Sequence, residues 1–456
     1  MIPKWIARGA FLALLLAAQA SAQAVGFSLG AAVDAALQRS PGLTAAQYRV
    51  READASLRET RTRRLPSLTA NSSFTRGDNP VYVFGSLLDQ KSFTAANFDI
   101  YSLNNPSLTS NFRNSFEVGV PLFTGFELQS RERLGRLGRD AAASGQDLAA
   151  QRTRYAVAES FLQILFQQEL GRALSERVAA SAAEVESARR LKEKGLVLGS
   201  DYYAAQAILG GLQTWQARAD AGLAAARSSL ATLLGVAPEG LEVRGSLAAR
   251  EYPLEAESQL LERALSQRPE LRQASLQEGM ASALRRKEGL SLLPKVDAFA
   301  ALETDTRDFN ANPWNRLFGV RASLPLGDAT YLPRRSRAEA ALEASRADAR
   351  RARETVQLEV GQAYQGYKGA RASLPVAQTT LGQAQKALAL FRPLYREGRQ
   401  SILEVLRAEE GLARTEAAYL DNLYSLHAGR ARLLLAAGSL DESAVRELEQ
   451  GLGGAR

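Results

Sequence analysis

The sequence is written twice. SPGLTAAQ from Ser40 and RPELRQAS from Arg268 share a proline, Pro41 and Pro269, and RRLPSLTA and LLPKVDAF place Pro66 and Pro294 at the same separation. The separation then shortens, because the first copy carries a longer insert, and holds to within one residue thereafter. GVPLFTG matches SLPLGDA at Pro121 and Pro325; Phe161 matches Tyr364, Gly195 matches Gly398, Asp201 matches Glu404 and Gly235 matches Gly438. Landmarks kept in order over such lengths are the mark of a duplicated fold rather than of chance likeness between helices. The spacing divides the chain into a first copy over 23–240, a linker over 241–254, a second copy over 255–438 and a tail over 439–456.

Each copy has the same internal grammar. An Ala/Arg/Leu-rich helical segment, about Leu29 to Leu65 and Glu255 to Leu293, stops at a proline that disfavours helical geometry in the residue before it. Period-two segments follow, about 66–75 and 114–123 in the first copy and 294–303 and 316–326 in the second. Leu68, Ala70 and Phe74 alternate with Ser67, Thr69 and Asn71; Phe116, Val118, Val120 and Leu122 alternate with Ser115, Glu117 and Gly119. In the second copy Val296, Ala298, Ala300 and Leu302 alternate with Lys295, Asp297 and Phe299, and Phe318, Val320, Ala322, Leu324 and Leu326 alternate with Arg321 and Ser323. Alternation of this kind predicts strands with one apolar and one polar face, and about ten residues is the length a tilted strand needs to cross a bilayer. Prolines mark the junctions: Pro66, Pro121, Pro294 and Pro325.

Beyond the strands come helical hairpins over 126–235 and 333–437, each with a long arm, a glycine turn and a shorter return. At 1.5 Å per residue, an arm of roughly 65 residues would be about 100 Å long. Apolar positions recur at threes and fours (Tyr155, Ala158, Leu162 and Leu165; Val356, Val360, Ala363 and Tyr367), and abundant alanine suits close antiparallel coiled-coil packing. The Asn-, Phe- and Tyr-rich insert 76–113 separates the first two strands.

The N-terminus reads as a signal peptide over 1–22: Lys4 and Arg8, an apolar run from Gly9 to Ala18, then small residues ending at Ala22. No later stretch is apolar for long enough to span as a helix, so a membrane-crossing part would have to be a closed β-barrel. With no cysteine and one histidine, His427, thiolate metal sites and cysteine nucleophiles are excluded, and a histidine-dependent triad would rest on a single residue. The formal charge of +8 is carried mostly by arginines interleaved with acids on helical faces, without the aromatic-basic patch of a nucleic-acid binder. Neither a cofactor nor a resident metal is expected.

Leader, two copies of helix–proline–strand–loop–strand–long helix–glycine turn–helix, and the segments ALQRSPGL, ALSQRPEL, VPLFTG and YREGRQSILEVLRAEEGLARTEAAY together resemble the TolC-type outer-membrane efflux proteins over nearly the whole mature chain. The resemblance implies a mainly α protein with a membrane β-barrel portion. Its duplicated coiled-coil hairpins would form a periplasmic α-barrel, and four strands per chain would enter a trimeric 12-stranded barrel. It implies a passive duct in the outer membrane of a Gram-negative bacterium, working with a periplasmic adaptor and an inner-membrane pump of RND or ABC type. The polar strand residues Ser67, Thr69, Asn71, Glu117, Lys295, Asp297 and Arg321 would line the lumen, with 76–113 as an external loop. Asp201 and Tyr395 match positions of an interhelix latch whose basic partner falls on Gln400, beside Arg399. Glu404 falls on an acidic constriction ring, whose second acidic position is Arg407 here. A periplasmic coiled-coil adaptor is the alternative, but adaptors carry one helical hairpin and this chain carries two.

Overall fold

The computed structural model describes residues 25–308 and 313–453; the leader and part of the second-copy insert therefore lie outside the described residues. The first copy begins with β1 (Val25–Phe27), α1 (Leu29–Arg39), α2 (Pro41–Thr62) and β2 (Ser67–Gly77). Helices α3 (Pro80–Asp89) and α4 (Ile100–Asn104), with a 3-10 turn at Ala95–Phe98, occupy the connection to β3 (Thr109–Phe123). Long α5 (Glu127–Glu193) and α6 (Gly199–Leu234) follow, then β4 (Leu241–Val243). The second copy supplies α7 (Glu257–Gln267), α8 (Pro269–Gly289), β5 (Lys295–Thr306), β6 (Trp314–Ser323), α9 (Tyr331–Arg396) and α10 (Ile402–Ala436), and α11 (Glu442–Gly451) ends the chain.

Several boundaries differ from the sequence reading, each for a local reason. The leading helical segment of each copy is two helices, because Pro41 and Pro269 take the first position of a new helix, where a missing N–H costs nothing. Strand β3 starts at Thr109 rather than near 114, since its pairing with β2 runs out to Gly77. Strand β6 ends at Ser323, so Leu324, Pro325 and Leu326 lie past it. The linker 241–254 contains β4, paired in parallel with β1, and the tail 439–456 contains α11. The four landmark glycines at helix ends, Gly195, Gly235, Gly398 and Gly438, all have positive φ. After each, the next N–H reaches back to the carbonyl five residues earlier: Leu196 to Leu191, Val236 to Ala231, Arg399 to Leu394 and Ser439 to Leu434. This glycine-dependent C-cap ends one helix and aims the next, and the duplication repeats it.

Two compact units are formed. Among the described residues, one contains 25–47, 145–272 and 351–453; the other contains 48–144, 273–308 and 313–350. The first is helical around a core that includes Leu29, Phe161, Leu162, Leu165, Leu230, Leu234 and Leu433, each contributing about 1.5–3 kcal/mol by burial. Ala158, Ala188, Ala205 and Ala231 are buried among the helices, where a small side chain lets backbones approach. Helix α11 docks on α1, with the Gly30 N–H donating to Glu449 (3.2 Å).

His427 organises the same unit. Its Nε2–H donates to the Ala248 carbonyl (2.9 Å), because a carbonyl can only accept; Nδ1 must then accept from the Tyr252 hydroxyl (2.7 Å). The Tyr367 hydroxyl donates to the Tyr252 carbonyl (3.2 Å), and Arg430 bridges Glu447 and the Pro253 carbonyl. Gly451 meets this clasp so closely that a β-carbon there would fall 1.9 Å from the Tyr252 hydroxyl. Burial pushes the His427 imidazole below its ordinary value of 6.5. A depressed base binds its proton more readily in the unfolded chain, so its contribution is whole above 6.5 and is lost as pH falls below it. Thermal melting should therefore drop between neutral and mildly acid pH, and His427→Gln should flatten that part of the profile.

Candidate functional site: the sheet faces and the hairpin tips

The second unit holds a single four-stranded sheet in the order β2-β3-β5-β6, antiparallel throughout, in which β3 and β5 join the two copies. Pro121 stands in β3, a central strand, two residues past Gly119, where the pairing with β2 ends opposite Ser67. The register shifts between Pro121 and Phe123, so Phe123, not Leu122, stands opposite Val296.

Directly opposed residues of an antiparallel pair share a face. Ser67, Thr69 and Asn71 stand opposite Gly119, Glu117 and Ser115; Asp297 lies between Pro121 and Arg321; Lys295 stands opposite Ser323. These rows put all the polar candidates, Ser67, Thr69, Asn71, Glu117, Lys295, Asp297 and Arg321, on one face. The other face carries the rows Leu68–Val118–Ala300–Phe318 and Val120–Ala298–Val320. Phe116 and Leu302 continue it toward the far end, where Arg316 is a charged exception. Leu68 and Phe318 are 71 % and 83 % exposed, so this apolar face is uncovered in the single chain. At the helix junction the Lys295 ammonium, 2.7 Å from Glu127, holds that carboxyl down at about 2. On the polar face the Arg321 guanidinium lies 5.2 Å over the Phe299 ring.

The tips of the two hairpins form a cleft in the helical unit, where Asp201, Tyr395, Arg399 and Gln400 line one wall-to-wall concavity with Leu196 and Leu198. The four latch candidates are thus gathered; the polar contacts of Asp201 and Arg399 are local, Asp201 accepting from the Ser200 hydroxyl (3.4 Å) and Arg399 pairing with Glu397 (3.4 Å), while Tyr395 packs against the buried cluster of Val185, Ala188, Ala205, Ile402 and Leu406. Burial pushes the Tyr395 hydroxyl above its ordinary value. Ser401 caps α10 through the Leu403 N–H (3.0 Å), placing Glu404 in the first turn, where the helix dipole favours an anion. Arg407 reaches Glu404 at 2.9 Å, one turn along the same helix.

About one and a half turns along the helix from Glu404 lies a charge cluster that the sequence reading missed. Glu409 is fully buried and is ion-paired with Arg177 of α5 (3.3 Å) and Arg392 of α9. The signal was available. Ile402, Leu406, Glu409 and Ala413 form one buried helical stripe, and Arg177, itself partly buried, shares a helix face with the buried Leu170, Leu174 and Ser181, so each charge lies on the inward face of its helix. Removing the shared carboxylate would take this partner from Arg392 and leave Arg177 only its longer contacts to Glu176 (3.5 Å) and Glu416 (4.0 Å). Glu409→Ala should cost on the order of 3–5 kcal/mol, read as a lower melting temperature of the helical unit.

Both copies match the model of the outer membrane efflux protein family, over residues 32–236 and 260–439. No curated protein is a significant sequence match. Among solved structures, the Campylobacter jejuni CmeC outer membrane channel superposes with a TM-score of 0.79 at 16% identity, covering 93% of this chain and 89% of that one. The Neisseria gonorrhoeae MtrE outer membrane channel, in its open state, gives 0.75 at 18% identity, covering 93% and 94%. CusC, described for its folding and transmembrane channel formation, gives 0.76 at 20% identity, covering 91% and 92%. Relatives of this kind do not favour the adaptor alternative. The family match spans both copies of the duplicated fold, and the chain belongs to the outer membrane efflux protein family.

Proposed function

We propose that three copies of this chain close their sheets edge to edge, β6 of one against β2 of the next, into a 12-stranded barrel. The duct passes small molecules or proteins outward and is a passive conduit, in series with a periplasmic adaptor and an inner-membrane pump of RND or ABC type. One observation carries this reading: an antiparallel sheet with an uncovered apolar face, a polar opposite face and two free edges. The even strand count lets the up-down alternation continue across each junction. Two copies would make eight strands, a barrel whose interior side chains fill, whereas three leave room for water. Among the described residues no helix is long and apolar enough to cross a membrane. The family places the protein in the Gram-negative outer membrane with a large periplasmic helical portion. In this arrangement Ser67, Thr69, Asn71, Glu117, Lys295, Asp297 and Arg321 line the lumen and Val118, Val120 and Phe318 meet lipid.

Arginine at Val118 or Val320 should then impair assembly by about 2–4 kcal/mol at mid-bilayer depth, while Ser67→Arg and Thr69→Arg should assemble normally. Heat-resistant trimers in outer-membrane extracts report the outcome. Equal damage from both faces would refute the inside-outside assignment.

At the entrance, three Glu404 side chains would converge on one axis, and a confined ring of like charge concentrates cations and repels anions. Each carboxylate, however, is partly neutralised by its own Arg407. The open channel is therefore mildly cation-selective and only weakly blocked by multivalent cations. Arg407→Asp should strengthen both properties and Glu404→Ala should abolish the preference, in single-channel recordings from planar bilayers. Asp201→Ala and Tyr395→Phe should raise the conductance of the closed state if the tip cleft still latches without a basic residue at Gln400.

A further inference from the structure

The connection between β2 and β3 does not stand away from the sheet as a free loop. It lies at the end of the strands opposite their helix junctions, and the end of α3 is fastened across three strands. Arg113 donates to Asp89 (2.8 Å) and to Asp305 (2.9 Å); Gln90 donates to Asn111 (2.9 Å) and to the Ser110 carbonyl (3.0 Å). Asn111 in turn donates to Asp305 (2.5 Å), and Asn315 donates to the Asp89 carbonyl (3.1 Å). Asn111, Arg113, Asp305 and Asn315 all belong to the polar face, because Arg113 stands opposite Asp305 and Asn315 opposite Glu303. The segment is therefore folded over the face that also carries Thr69, Glu117 and Asp297.

Its outer surface is unlike that of a solvated loop. Phe84, Phe93 and Phe98 stack edge to face (4.9 and 5.1 Å), and Val83 and Leu87 are buried in the same segment. Yet Val81, Phe98, Ile100 and Tyr101 remain uncovered, with Ile100 and Tyr101 76 % and 75 % exposed. Adjacent apolar groups on a water-facing surface mark a contact site. Anchored on the polar face, the segment lies on the side of the sheet opposite the residues that would meet lipid, so a membrane is not its partner.

Resting on the duct reading above, we propose that the partner is a second copy of this chain: the three α3–α4 segments meet over the barrel axis and close its outer mouth. Ile100 and Tyr101 of each copy pack against their neighbours, continuing the edge-to-edge contact of the strands. The Asp89–Arg113–Asp305 bridge holds each segment inward over the lumen. The mouth is thus a second constriction, apolar where the entrance is charged, and its closure is set by residues remote from Glu404.

The absence of cysteine from the natural sequence makes the test clean. Full-length Ile100→Cys and Tyr101→Cys trimers, treated with a short bismaleimide, should give covalent dimers and trimers, whereas Phe318→Cys on the opposite face should not. In planar bilayers the double variant Ile100→Asp/Tyr101→Asp should raise open-channel conductance at least about twofold with heat-resistant trimers retained, and Arg113→Ala should act in the same direction. Heat-resistant trimers that neither cross-link at 100 or 101 nor conduct better in the aspartate variant would overturn the mouth closure and leave the duct reading standing. A wild-type chain that forms neither trimers nor pores would remove both.

Discussion

An open sheet edge has no place in hydrocarbon. Every backbone N–H and C=O facing lipid without a partner costs several kcal/mol, and this chain presents two such edges, β2 and β6, beside an uncovered apolar face. Most other features of the architecture become intelligible from that constraint. A single chain cannot satisfy it, so the strand portion is half-made until copies close on one another. Four strands with alternating direction also fit a closed ring without a parallel junction.

The duplication serves this need economically. Each copy contributes one strand pair and one long hairpin, and β3 with β5 welds the copies into one sheet. The repeated glycine C-caps, at Gly195 and Gly398 and again at Gly235 and Gly438, end the helices in the same way in both copies. Divergence between the copies is concentrated where symmetry is not required. The first carries α3 and α4 between its strands, and the second carries Pro375 and Pro393 inside α9, where each removes an intrahelical hydrogen bond.

Charge is placed in two distinct ways along the chain. At the tip, Glu404 and Arg407 form an exposed pair of the kind worth little to stability. Farther in, Glu409 is fully buried between two arginines from other helices, where loss of one member leaves uncompensated charge. In the proposed duct the first arrangement would tune a field. The second holds α5, α9 and α10 in one register.

Much of this was legible in the sequence because it is periodic or local. Alternation at Ser67–Phe74 and Lys295–Leu302 assigns each residue to a face, prolines and glycines punctuate the helices, and repeated landmarks disclose the two copies. Even the burial of Glu409 was implicit in its place on an apolar stripe. Tertiary structure alone decided which strands pair, which arginines Glu409 meets, that the tail packs as α11 against α1, and that the β2–β3 connection folds onto the polar face through Arg113 and Asp305. The division has a physical cause. A period is a property of neighbouring residues, whereas a pairing between positions far apart in the chain depends on closure, packing and the competing partners available, none of which leaves a local mark.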